Sequence, residues 1–167
     1  MIPKGLPAYD TGKIPGYYHN EEMALKLLEE AGYPGGQGLP EITLQTNTSY
    51  LDLCEYIQGE LGVLGIPLNV EVTPPSTLRQ SIATSKVPFF RGSWIGDYPD
   101  AENYLSLFYS ANWTPNGPNY THFKNEKFDA WYELAIAETK DSLRLSYYQK
   151  MDSLIMAEAP VIPLYYD

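Results

Sequence analysis

The feature that most constrains the fold is a strand–helix–strand pattern between residues 41 and 72. Apolar and polar residues alternate over 41–46 and again over 68–72, which is the period of a half-buried strand. Between them, residues 50–64 carry apolar side chains at helical spacing, and Gly65 ends this helix. Because a helix joins the two strands through short links, we expect them to pair in parallel with a right-handed crossover.

Further segments extend this pattern into an α/β domain. Residues 88–95 and 161–166 are predicted as two more strands. Other helices are predicted at residues 20–31, 76–84 and 101–109, and after the N-cap candidates Asn125 and Asp141. The expected architecture is a mixed sheet of about four strands with helices packed on it.

The domain organisation follows from length and from the C-terminal segment. With 167 residues, the chain is long enough to bury a core as one domain. It stops at Asp167, directly after an apolar segment and without a polar tail. We therefore expect residues 1–167 to be a single domain, an excised lobe of a larger two-lobed protein.

Charge and reactive side chains argue against several classes of function. There are 21 acidic and 11 basic residues, and the basic ones are scattered, which argues against nucleic acid as a partner. The single cysteine, Cys54, lies on the apolar face of a predicted helix and is interpreted as a buried thiol. His19 and His122 lack metal-ligand spacing, and no nucleophile elbow or phosphate-binding glycine loop occurs. We predict no catalytic residue, no metal and no cofactor.

Residues 91–105 contain the candidate functional site. A predicted strand runs here into a tight turn that holds Asp97 and Asp100 among aromatic residues. Asp100 is interpreted as the N-cap of the helix that follows it. Asp97 has no equally clear local role, although an Asx-turn remains open. Beside aromatic side chains, its carboxylate would suit an ammonium group, through a charge-assisted hydrogen bond and cation–π attraction.

Several motifs resemble those of one known family. The sequence WIGDYPD (94–100) followed by NYL (103–105) resembles the signature W-x-x-D-Y-x-D-P-x-x-[FY]-L of the extracellular solute-binding proteins, family 5. These proteins are the oligopeptide and dipeptide receptors of ABC importers. Residues 24–33, ALKLLEEAGY, resemble the family's A-x-x-L-L-x-x-A-G-Y. Ala101 departs from the pattern, since proline is usual there, and this changes the start of the helix.

The resemblance implies a fold and an anchoring residue. The fold is the second lobe of a type II periplasmic-binding protein, which closes on its partner lobe in a Venus-flytrap motion. In peptide-binding members, the first aspartate of the D-Y motif anchors the α-amino group of the ligand. That role falls on Asp97 here, and Trp94 and Tyr98 would line the same wall.

Three further residues are candidates for ligand contact. Arg91, upstream of the turn, could meet a ligand carboxylate or an acidic side chain. Asn119 and Tyr120 resemble part of another motif of the family and lie in the long loop 110–124, which is dense in turn-forming residues. Loops of this length in compact domains are more often functional than idle.

The implied function is capture of peptides for import, without catalysis. The complete protein would lie in the periplasm or otherwise outside the cytoplasm, often as a lipoprotein, and would deliver its solute to ABC permease subunits. Family members also bind nickel chelates, haem, glutathione and sugars, so a non-peptide solute such as an oligosaccharide remains an alternative. The rival hypothesis is an acidic glycan-binding or glycoside-hydrolysing domain, which the aromatic content also permits.

Overall fold

The computed structural model describes residues 1–10 and 12–166, and the chain divides into two compact units. Unit 1 combines Met1–Tyr17 with Trp94–Asp167, and unit 2 is the continuous stretch Tyr18–Ser93. The turn that begins at Trp94 therefore belongs to unit 1, whereas Arg91 belongs to unit 2.

Unit 2 contains the predicted strand–helix–strand pattern. Its helices and strands are α1 (Glu21–Glu30), β1 (Ile42–Thr46), α2 (Leu51–Val63), β2 (Leu68–Val72) and α3 (Pro75–Ala83). β1 and β2 pair in parallel, with Ile42 opposite Leu68. Leu44, Cys54 and Leu68 form the buried centre of this unit, and Cys54 is 0% exposed. The parallel pairing and the buried thiol are thus confirmed.

The sheet is smaller than predicted, because two strands rather than four pair in the described part of the chain. Residues 88–95 contribute one isolated bridge, between Phe90 and Gln45. In this bridge the N–H of Gln45 donates to the carbonyl of Phe89 at 3.1 Å, and the N–H of Arg91 donates to the carbonyl of Gln45 at 2.9 Å. Pro88 carries no N–H, so the ladder begins only after it. The strand predicted over 88–95 is therefore wrong apart from this bridge.

The strand predicted over 161–166 is also wrong, since this segment has no strand pairing. Pro163 lies in its middle and cannot donate to a ladder. Its apolar neighbours stay in contact with solvent, at 63% exposure for Ile162 and 45% for Leu164. The expected mixed sheet is therefore replaced by a small parallel one.

Unit 1 is helical, with an aromatic core. Its helices are α4 (Glu102–Leu105), α5 (Glu126–Ala137) and α6 (Asp141–Glu158). Phe108, Phe123 and Phe128 meet edge to face, with ring centroids 5.6 to 6.4 Å apart. Edge-to-face pairs of aromatic rings stabilise the fold beyond the effect of burying their apolar surface. None of the helices in the described ranges is long and apolar enough to cross a membrane.

Two polar side chains fix local structure in this unit, one at the start of α5 and the other where the leading segment meets α6. Asn125 accepts hydrogen bonds from the backbone N–H groups of Lys127 and Phe128, which confirms it as the N-cap of α5. Asp152, only 4% exposed on α6, accepts from the backbone N–H of Ile2 at 3.3 Å. The leading segment of the chain is thereby attached to α6.

Candidate functional site

The turn in unit 1 is organised around Asp100. Its Oδ1 accepts from the backbone N–H of Glu102 at 2.9 Å, the first residue of α4. Its backbone carbonyl accepts from Asn103 N–H at 3.2 Å. The predicted N-cap position is wrong by one residue, because Ala101 is the N-cap of α4, although the Asp100 side chain does bind the first N–H of this helix. α4 runs from Glu102 to Leu105, so it is shorter than the helix predicted over 101–109. Asp100 is therefore occupied by the backbone of its own turn.

The second oxygen of Asp100 connects the turn to α6. Oδ2 lies 3.4 Å from a guanidinium nitrogen of Arg144, which also pairs with Asp141 at 3.2 Å. Burial, followed by a hydrogen bond to Asp100, raises the pKa of Tyr148. A carboxylate that already has a backbone N–H, an arginine and a tyrosine as partners is poorly placed for acid–base chemistry or for binding a further cation.

Asp97 differs from Asp100 in every one of these respects. Its side chain is exposed, and it makes no hydrogen bond or ion pair with any residue in 1–10 or 12–166. An Asx-turn would need its carboxylate to accept from a nearby backbone N–H, and no such contact is present among those residues. Of the two aspartates in the turn, Asp97 is the one whose carboxylate is available to a ligand.

Trp94 is half-buried at the start of the turn, and its ring is fixed by a hydrogen bond. Indole Nε1 donates to Oδ1 of Asn103 at 2.7 Å, and Asn103 is itself 4% exposed. Gly96 follows, packed so closely on Tyr104 that a Cβ atom there would lie 2.8 Å from the phenol oxygen. The hydrogen bond to Asn103 therefore holds the indole in a defined orientation, three residues before Asp97.

Tyr98 is 48% exposed, yet its hydroxyl donates to Oε2 of Glu102. The other carboxylate oxygen of Glu102 accepts from Tyr132, which is 4% exposed on α5. The bond to Glu102, with burial second, raises the pKa of Tyr98, and burial followed by Glu102 raises the pKa of Tyr132. Sequence reasoning missed Glu102; the one available signal was its position four residues after Tyr98.

The loop 110–124 is held together by Asn119. This side chain is 0% exposed; its Nδ2 donates to the carbonyls of Tyr109 (3.1 Å) and Phe123 (3.0 Å), and its Oδ1 accepts from Thr121 at 3.0 Å. The amide therefore serves the loop itself. Tyr120, the other candidate in this loop, is 37% exposed. Ligand contact by either residue stays a prediction.

Arg91 is engaged within unit 2. Its guanidinium carbon lies 3.2 Å from the ring centroid of Tyr50, and one of its nitrogens donates to Ser93 Oγ at 3.2 Å. Stacking on an aromatic face leaves the edge of a guanidinium able to bind carboxylates. Its predicted role toward a ligand carboxylate also stays a prediction.

The arrangement in unit 1 favours binding over hydrolysis. Glycosidases need two carboxyl groups that act on one bond, and Asp100 is committed to the turn. Among the described residues, no three His, Cys, Asp or Glu side chains cluster in a way that could hold a metal ion. What the turn offers is one exposed carboxylate, which in sequence lies between two aromatic residues whose side chains are hydrogen-bonded to Asn103 and Glu102.

Comparisons with known proteins identify relatives over nearly the whole chain. Residues 1–116 match the model for bacterial extracellular solute-binding proteins, family 5 Middle. Heme-binding protein A of Haemophilus influenzae is 26% identical over 167 residues, covering 98% of this chain and 30% of that protein. Dipeptide-binding protein DppE of Bacillus subtilis is 28% identical over 151 residues, covering 88% of this chain and 27% of that protein.

A solved structure supports the same relationship. The dipeptide binding protein from Pseudoalteromonas sp. SM9913, in complex with Met-Leu, matches with a TM-score of 0.82 and 26% identity, over 96% of this chain and 32% of that one. This likeness confirms the predicted periplasmic-binding-protein fold class. The chain spans less than a third of the length of these relatives.

Proposed function

The chain belongs to the bacterial extracellular solute-binding proteins, family 5, and we propose that its complete protein captures peptides with a free α-amino group for an ABC importer. The observation that carries this proposal is the exposed carboxylate of Asp97, which makes no hydrogen bond or ion pair with the other described residues, although its neighbour Asp100 has three partners. Asp97 occupies the position of the D-Y motif where peptide-binding members hold an amine. The proposal is further supported by the relatives whose names specify dipeptides.

The other residues have distinct parts in the proposal. Trp94 and Tyr98 form the aromatic wall beside the amine, where ring faces add cation–π attraction to the ion pair. Tyr120 supplies a further half-exposed ring in unit 1, and for Arg91, in unit 2, contact with a ligand carboxylate is proposed separately. Asn119 acts by holding the loop that carries Tyr120, since its amide is already bonded within that loop.

The proposal extends to the complete protein. Residues 1–167 form one lobe, and a partner lobe closes over the solute, so that the ligand stabilises the closed state through contacts made on both sides. The protein is not an enzyme. It lies outside the cytoplasm, anchored as a lipoprotein, and delivers its solute to permease subunits. The family match favours this function over a glycan-binding or glycoside-hydrolysing domain.

Calorimetry on the complete two-lobed protein tests the proposal. Di- to pentapeptides with a free N-terminus should bind, and N-acetylation should weaken each by about 30-fold or more, because removing one partner of a buried charge pair costs about 2 kcal/mol or more. Asp97→Asn should produce a similar loss for the unmodified peptides. Asp52→Asn is the matched control, since Asp52 is an exposed aspartate in the first turn of α2.

Two results would contradict the proposal. One is equal affinity for free and acetylated peptides, which would show that the α-amino group is not held by Asp97. The other is binding of hemin, the solute class of a relative, without binding of any peptide. Hemin belongs in the same titration series for this reason.

A further inference from the structure

An exposed tyrosine on a turn is ordinarily able to change rotamer, and Tyr98 is 48% exposed. Its hydroxyl nevertheless donates to Glu102, four residues further along and at the start of α4. Glu102 therefore binds the hydroxyl of a half-exposed ring whose residue directly follows Asp97 in the chain. A hydroxyl that donates to an acceptor in a fixed position holds its ring in one rotamer, so this contact restricts the ring.

Glu102 is in turn held from two directions. Its second carboxylate oxygen accepts from Tyr132, a 4% exposed residue on α5 that stacks on Tyr109 with ring centroids 4.5 Å apart. Its backbone N–H is bound by Asp100 at 2.9 Å. The carboxylate thus connects a well-packed ring in the core to an exposed ring on the turn.

We infer that Glu102 is a positioning residue for solute recognition, which fixes the ring of Tyr98 beside Asp97 before the solute arrives. The inference rests on the proposed function, because it assigns Tyr98 to the ligand wall. The physical benefit is preorganisation. A side chain that is already ordered loses little conformational entropy when the ligand packs against it, whereas a mobile one must be ordered during binding.

Affinity measurements on the complete protein separate this role from a purely structural one. Glu102→Ala should weaken binding of free-amine peptides by about three- to tenfold, the range expected when one side chain has to be ordered on binding. Glu102→Gln retains an acceptor for Tyr98, and its amide can donate to the Tyr132 oxygen, so it should restore affinity to within about twofold of wild type. If Glu102→Gln lost as much affinity as Glu102→Ala, charge rather than positioning would be responsible, and the inference would fall.

A double-mutant cycle tests whether the effect passes through Tyr98. Tyr98→Phe keeps the ring and removes the hydroxyl, so Glu102→Ala should have no further effect on affinity in that background. An equal loss in both backgrounds would mean that Glu102 acts on the fold and would overturn the inference. Glu133→Ala is the matched control, because Glu133 accepts from Tyr109 at 2.8 Å in a similar tyrosine–carboxylate pair; it should leave peptide affinity unchanged.

A ligand-independent measurement keeps this inference separate from the proposed function. With 3-fluorotyrosine in place of Tyr98, the 19F signal of the complete protein should be a single line, and Glu102→Ala should shift and broaden it as other rotamers become populated. If no peptide binds the wild-type protein, the proposed function fails, and the 19F comparison still decides on positioning. An unchanged 19F signal in Glu102→Ala would overturn the positioning role.

Discussion

A guanidinium nitrogen of Arg144 lies 3.4 Å from the carboxylate of Asp100, so that α6 is linked to the turn that carries Asp97. The two side chains are 35% and 29% exposed, which places the pair between the surface and the interior. The same arginine reaches Asp141 at 3.2 Å. Asp100 thus has a partner on each side, the start of α4 and the first turns of α6, and the geometry of the turn depends on both.

The first prediction concerns this link. Arg144→Ala should lower the free energy of unfolding by about 1 kcal/mol, which is the upper end of the range for exposed ion pairs. The value is at this end because two carboxylates, those of Asp100 and Asp141, lose their partner together. Urea unfolding followed by circular dichroism measures it. Lys26→Ala is the control: Lys26 pairs with Glu30 at 3.7 Å, with 65% and 59% exposure, and its loss should be well below that of Arg144. Equal losses would contradict a special role for the Arg144–Asp100 pair.

Local sequence signals explain which parts of the fold could be predicted. The parallel pair of β1 and β2 follows from two alternating segments that flank a helical period, and each signal spans only a few residues. The cap at Asn125 and the bond from Asp100 to the start of α4 could be predicted for the same reason, because both are contacts between near neighbours in the chain.

The errors have a common physical cause. Residues 161–166 are largely apolar, but strand formation requires a partner segment, and pairing depends on the arrangement of the chain in space. Glu102 shows the same limit at the site. Its hydrogen bond to Tyr98 could be predicted from the spacing of four residues along the chain. Its hydrogen bond to Tyr132 joins residues 30 positions apart, and no local pattern predicts it. For Asn119 the sequence predicts only ligand contact, since no sequence signal shows that its amide is buried and bonded within its own loop.

The second prediction concerns Asn119. Asn119→Ala would remove the three hydrogen bonds of a buried amide, two of them to the carbonyls of Tyr109 and Phe123, and should lower the free energy of unfolding by about 2 kcal/mol. Limited proteolysis should also become faster within 110–124. Asn116→Ala, at an exposed position of the same loop, is the control and should change stability by less than about 0.5 kcal/mol. A neutral effect of Asn119→Ala would show that this loop does not depend on the amide.

The third prediction uses two glycines of unit 2 that approach each other closely. A Cβ atom on Gly36 would lie 2.0 Å from the carbonyl oxygen of Gly65, and Gly36 has a φ of +78°. Gly36→Ala should therefore cost more than about 2 kcal/mol of unfolding free energy, from backbone strain and a backbone clash together. Gly59→Ala is the opposite case, since Gly59 lies in α2 and a Cβ atom there would meet nothing within 4 Å. It should stabilise the protein by about 0.5–1 kcal/mol, because alanine favours helices over glycine.

The last prediction concerns stability at alkaline pH. Burial, reinforced by Glu102, raises the pKa of Tyr132 above the ordinary value of 10.0, so the folded state retains a proton that the unfolded chain releases. The contribution of the protonated Tyr132 hydroxyl to the free energy of unfolding is therefore fully present below pH 10 and is lost as the pH rises beyond it. Tyr132→Phe removes this group from the linkage. Urea midpoints measured from about pH 8 to pH 11 should then fall less steeply above pH 10 in the variant than in the wild type. The difference between the two midpoints at pH 8 reflects the lost hydrogen bond, so the decisive quantity is the slope of midpoint against pH above pH 10. Parallel curves for the variant and the wild type would contradict the raised pKa of Tyr132.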